Sequence, residues 1–189
     1  MIEYILGGLL ILVIVAVIAF VVIYNGLVSV KLQAENSWAQ IDVQLKRRTD
    51  LIPNLIETVK GYAKFEKSTL EAVTQARASM MSAKGPKEAA KANDFLANTL
   101  KSVFAVAEAY PTLKANENFK ALQEELASTE NKIAFARQLY NDMVMKWNTM
   151  ILQFPTNMIA GMTGMSTAKE FFEVSESEKK NVKVDFSGL

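Results

Sequence analysis

The chain has no cysteine and no histidine among its 189 residues. Without Cys there is no disulfide frame, thiolate nucleophile or thiolate metal site. Without His there is no Ser-His-Asp machinery, imidazole base, zincin or Glu-x-x-His di-iron site. Charge of one sign is lacking too, with 21 basic residues against 20 acidic ones. Bases and acids are interleaved, no Gly-rich phosphate loop occurs, and neither nucleic acid nor a nucleotide is expected as a ligand. Proline is scarce, four residues in all, and each falls at a kink or end of the periodic segments described below.

What is present is apolar and unevenly spread. From Ile5 to Ile23 no residue is charged, and nineteen helical residues extend about 28 Å, the hydrocarbon thickness of a bilayer. Tyr4 and Tyr24 sit where interfacial aromatics belong. A signal peptide would show a basic start and a small-residue cleavage site, which this segment lacks. An uncleaved single-pass anchor over residues 1–24 is therefore expected. Only Glu3 is charged before it, while Lys31, Lys46, Arg47 and Arg48 follow. The positive-inside rule puts the short N-terminal stub outside and the body at the cytoplasmic face of the inner membrane.

Beyond the anchor the pattern is helical throughout, and the expected fold is all-α. Leu27, Val30, Ala34, Trp38, Ile41, Leu45, Ile52, Leu55 and Val59 recur at steps of three and four, with Arg48 filling one gap. The first helix thus leaves the membrane as a stalk, with a kink or short break at Pro53, and its periodicity resumes over residues 54–83. A second helix is predicted over 87–110, with Phe95, Leu96, Leu100, Val103, Phe104 and Ala107 facing inward, and Pro111 ends it. A third covers 118–154, its stripe running from Phe119 through Trp147 and Ile151 to Phe154. Residues 156–164 give a short helical turn. Val182, Val184 and Phe186 alternate as in a strand but have no partner strand. The expected organisation is anchor 1–24, stalk and antiparallel bundle of three or four helices 25–165, and a partly docked tail 166–189.

One set of residues carries a resemblance. Trp38-Ala39-Gln40-Ile41-Asp42-Val43-Gln44-Leu45-Lys46-Arg47-Arg48 and Asp50-Leu51-Ile52-Pro53-Asn54-Leu55 are similar to the signature of the LemA family. The likeness continues at Glu57-Thr58-Val59-Lys60-Gly61-Tyr62, Ala76-Arg77, Ala107-Glu108-Ala109-Tyr110-Pro111 and Leu122-Gln123-x-Glu125-Leu126. It extends through Thr129-Glu130-Asn131-x-Ile133-Ala134, Ala136-Arg137, Tyr140-Asn141 and Phe154-Pro155-x-Asn157. Thr49 and Phe65 depart from the family pattern, which has Tyr and commonly His there. The resemblance implies one N-terminal anchor followed by an antiparallel helical bundle, and it lends no enzymatic reaction. One branch of that family resembles a factor for building magnetosome membranes, which points towards membrane organisation.

Two groups of residues are candidates for function. Asp42, Arg47, Arg48, Asp50, Asn54 and Glu57 cluster around Pro53, and Glu130, Arg137 and Asn141 lie on the third helix. Spacing allows Arg47 to meet Asp50 and Asp50 to meet Asn54, and the whole set reads as an interhelical polar network. The second group is the stalk stripe Leu27, Val30, Trp38, Ile41 and Leu45, read as an assembly surface, together with Met158 and Met162, read as packing on the bundle end and otherwise as contacts with a second copy or with the membrane surface. A stalk over residues 25–53 adds about 43 Å, more than the return helices were expected to cover. An exposed stripe of that length calls for neighbouring copies in a ring or filament. The expectation is a non-enzymatic scaffold at the membrane, with the bilayer and further copies of itself as partners and no cofactor or metal. The alternatives are an accessory subunit of a membrane protease or transporter, with a membrane protein as partner, and, more remotely, a carboxylate hydrolase using Asp50 and Glu130.

Overall fold

The computed structural model describes residues 1–61 and 67–173, which lie in helices and their connections with no strand among them. The helices are α1 (Ile2–Lys60), α2 (Lys67–Ser82), α3 (Gly85–Ala107), α4 (Pro111–Lys114), α5 (Glu117–Met150) and α6 (Thr156–Met162). Among the described residues α1 is the one helix long and apolar enough to cross a membrane. Val182, Val184, Phe186, Tyr62 and Phe65 lie outside the described residues.

α1 is 59 residues long and unbroken at Pro53. A mid-helix proline frees the carbonyl four residues back, because its own nitrogen has no proton to donate. Here that carbonyl belongs to Thr49, and the Arg77 Nε of α2 donates to it at 3.3 Å. The helix continues through Pro53 without a break, and the donor that proline lacks comes from another helix. The same contact corrects the helix expected over 54–83. In one straight helix Thr49 and Arg77 would stand about 42 Å apart, whereas they are hydrogen-bonded. α1 stops at Lys60 and α2 runs back along it.

Two compact units divide the chain, and α1 and α5 contribute to both. The first takes Met1–Ala39 with Gln138–Glu170. Its core is Leu27, Val30, Trp147, Ile151, Ile159 and Ala160, edged by Ile23, Met150 and Met165. Helix α6 closes with a Schellman turn: Gly164 takes φ +72°, and the Met165 N–H bonds the Ala160 carbonyl at 2.8 Å. The chain then runs extended against three polar tips on one face of α5. The Trp147 indole N–H donates to the Thr167 carbonyl (2.9 Å) and the Tyr140 hydroxyl to the Glu170 carbonyl (2.8 Å). The Asn148 amide both donates to the Lys169 carbonyl (3.0 Å) and accepts from its N–H (2.9 Å).

The second unit takes Gln40–Arg137 with the segment from Phe171. Ile41, Leu45, Ile52, Leu55 and Val59 of α1 are buried in it. So are Val73 and Ala76 of α2, Leu96, Leu100 and Val103 of α3, and Phe119, Leu126 and Ile133 of α5. Pro86 stands in the first turn of α3, where its missing N–H costs nothing. Asn116 caps α5, its side-chain oxygen accepting the Phe119 N–H at 3.1 Å. Of the inward face expected on α3, Phe104 is half-buried and Phe95 is exposed. Alanines 89, 90 and 92 take part of that face instead. α5 stops at Met150, short of the expected 154, and Phe154 is exposed.

Candidate functional site

The α1 stripe passes through position 48 in core register, so the Arg48 side chain is carried inside the second unit and is 4% exposed. A buried guanidinium needs partners, since desolvating the ion costs several kcal/mol. Its Nη1 donates to Asn93 Oδ1 at 2.8 Å, and Asn93 is itself buried. The same nitrogen pairs with the Glu130 carboxylate of α5, which remains partly open to solvent. Burial lowers the Arg48 pKa, while Glu130, by charge and hydrogen bond, and Asp94 raise it again. An arginine starts so far above neutrality that it stays charged. The Nε proton, also buried, has no acceptor among the described residues.

Arg48 lies at the floor of a groove of about 490 Å³ between α3 and α5. One wall carries Asp94, Asn98 and Lys101 of α3, and the other Gln123 and Glu130 of α5. Leu100, Phe104 and Leu126 supply apolar lining, and the Phe104 ring stands edge-on to Phe119 at 6.0 Å. Arg48 and Lys101 balance Asp94 and Glu130 in formal charge. Such a site favours a neutral, amphipathic occupant that offers an acceptor to Arg48 Nε and an apolar group to the lining.

The structure brings some of the predicted residues together and separates others. Arg48 and Glu130 meet. Arg47 pairs with Glu125 rather than with Asp50, because the α5 carboxylate is in reach across the helix pair. That bridge is half-exposed and contributes at most about 1 kcal/mol. Asp42, Asp50, Asn54 and Glu57 are exposed. Glu57 bonds Lys60 at 3.0 Å, and Asn54 offers its backbone carbonyl to the Thr58 hydroxyl. Arg137 and Asn141 are half-buried. Among the described residues no three Asp or Glu side chains gather as a metal site would require.

The expected exposed stripe is overturned. Leu27, Val30, Ile41 and Leu45 are buried within this chain, and Trp38 is half-buried with its ring 5.5 Å from that of Tyr140. The return helix is long enough after all: α5 has 34 residues, about 51 Å, and α6 completes the cover of Leu27. Met158 and Met162 are exposed. Sequence reasoning missed Asn93, Asp94 and Lys101. Asn93 did leave a signal: it interrupts the apolar series 89, 93, 96, 100, 103 and 107 as Arg48 interrupts the stripe of α1.

Comparison with known proteins finds relatives of this chain. The model of the LemA family matches residues 37–186. The chain is 24% identical to magnetosome protein MamQ 2 of Paramagnetospirillum magneticum, covering 88% of this chain and 72% of that protein. It is 28% identical to protein LemA of Metamycoplasma hominis, covering 83% and 71%. Against the MamQ of Magnetospirillum gryphiswaldense identity is 23%, with 79% and 65% covered.

Proposed function

This chain belongs to the LemA family, and from that premise we propose that it is a non-enzymatic, single-pass scaffold. Its helical bundle holds a partner protein at the cytoplasmic face of the inner membrane, and the Arg48 groove is the point of attachment. The observation that carries the proposal is the Arg48 Nε, without an acceptor among the described residues, at the floor of a mostly apolar groove. A peptide segment bringing one carbonyl and one apolar side chain fits both requirements. Lys31, Lys46 and Arg47, exposed on α1 beyond its apolar segment, support the cytoplasmic orientation. The magnetosome relatives support a task in membrane organisation. Covering of the stalk stripe removes the geometric reason for a ring or filament, so the reading shifts from self-assembly to partner binding.

Photo-crosslinkers at Asn98 and Gln123 in the full-length protein in membranes test this. Ala127 of α5 also lines the groove, and a discrete foreign adduct that disappears with the groove-filling change Ala127→Trp is the expected result. Adducts only between copies of the chain would return the reading to self-assembly. No adduct, or one indifferent to Ala127→Trp, would remove the groove from the account.

A further inference from the structure

The corner between α5 and α6 exposes apolar side chains that the first unit does not use. Leu152 and Met158 are exposed, and Phe154 and Met162 are 79% and 77% exposed. Side chains of this size seldom cluster in water without an occupant. Their neighbours identify one. Ile159 and Ala160, on the inner side of α6, pack in one core with Leu27 and Val30, and Ile23 edges the same core. Ile23 ends the charge-free apolar run of α1, and Tyr24 follows it with its ring stacked on Phe20 at 6.2 Å. Leu27 lies about 6 Å along the helix beyond Ile23, within the headgroup layer of a bilayer that the run crosses.

The sequence of the corner carries a second, independent mark. No charged residue occurs from Trp147 to Ala168, and Lys146 and Lys169 bound this stretch. On α1 the first charge after the apolar run is Lys31. Two segments that pack together thus lose their charges at the same level. A surface facing water gains nothing from that agreement, whereas one meeting lipid requires it.

We propose that the α5–α6 corner is a membrane-interface foot. Leu152, Phe154, Met158 and Met162 enter the boundary between headgroups and acyl chains of the leaflet from which α1 emerges. The inference rests on the Ile5–Ile23 segment spanning a bilayer. The span and the foot together hold the first unit at the membrane by two contacts, which limits rocking of α1 about its exit point.

The absence of native cysteine makes single-site labelling direct. Full-length variants Val15→Cys, Phe135→Cys, Phe154→Cys and Met158→Cys carry an environment-sensitive nitrobenzoxadiazole label in phosphatidylcholine–phosphatidylglycerol vesicles. Val15 lies in the apolar run, and Phe135 is an exposed position more than three turns back along α5. Lipids with a shallow doxyl quencher should quench the labels at 154 and 158 at least about two-fold more than the label at 135. A deep quencher should act on the label at 15. If 15 is quenched while 154 and 158 behave as 135 does, the foot is wrong and the span stands. A blue-shifted but unquenched label at 154 and 158 means that protein covers the corner, and it also overturns the proposal. If the label at 15 is not quenched, the span itself fails and the foot falls with it. Unchanged Trp fluorescence, from a chain with only two tryptophans, verifies folding of each variant.

Discussion

The hydrogen bond from Arg77 to the Thr49 carbonyl, the acceptor that Pro53 leaves open, has a magnitude that can be measured. Pro53 removes the amide proton that would satisfy the Thr49 carbonyl, and Arg77 Nε takes its place at 3.3 Å. Thr49 is buried, so water is a poor substitute. Arg77→Met keeps the aliphatic stem and removes the donor. An orphaned buried carbonyl costs about 1–3 kcal/mol, which corresponds to roughly 3–8 °C in melting temperature for a chain of this size. Pro53→Ala restores a backbone N–H in reach of Thr49 and removes the strain of a mid-helix proline. In that background Arg77→Met should cost less than about 0.5 kcal/mol, which leaves a coupling of about 0.5–3 kcal/mol. Urea unfolding of the four full-length proteins in detergent micelles, followed by helical circular dichroism, measures the cycle. Equal costs of Arg77→Met in both backgrounds would show that Arg77 acts by packing or charge alone.

Other parts of the molecule give further expectations. Arg48→Met should destabilise by about 1–3 kcal/mol because it strands Asn93 Oδ1 in the core. Adding Asn93→Leu should recover most of that loss in the same unfolding assay, since an apolar pair of similar volume replaces the buried polar one. Asn148→Leu removes both bonds to the Lys169 backbone and should raise tryptic cleavage after Lys169 by about ten-fold. Tyr140, raised to about 12 by burial and then by Glu170, should give a step near pH 12 in an ultraviolet difference titration, and Tyr140→Phe should abolish that step. Because its folded pKa exceeds its unfolded value of about 10, the stability Tyr140 contributes is intact below pH about 10 and falls as pH rises through about 12. Alkaline denaturation should accordingly be less steep in Tyr140→Phe.

Much of the helical architecture was legible because it depends on spacing alone. The series from Leu27 to Val59 and from Phe119 to Ile151 marked long helical stretches and one apolar face along each. Even the positions of Arg48 and Asn93 in core register were visible as polar interruptions. What covers a stripe was not legible, because burial by α5 and burial by a second copy leave the same residues apolar. That ambiguity produced the exposed-stalk expectation. The reversal between α1 and α2 was hidden for a related reason: the apolar period persists on both sides of Gly61, and Pro53 drew attention to the wrong place. The Arg48 groove was only half visible. Glu130 was named from the sequence, but its neighbours Asp94 and Lys101 are surface charges of an ordinary kind until α3 is packed against α5. The extended segment 167–170 gave still less, since its bonds run from its backbone to Tyr140, Trp147 and Asn148. Those backbone bonds leave no pattern in the side chains at 167, 169 and 170, although Lys169 also reaches Glu35 at 3.4 Å and lies over the Trp147 ring at 5.9 Å. The physical specification of that segment resides in the helix that receives it.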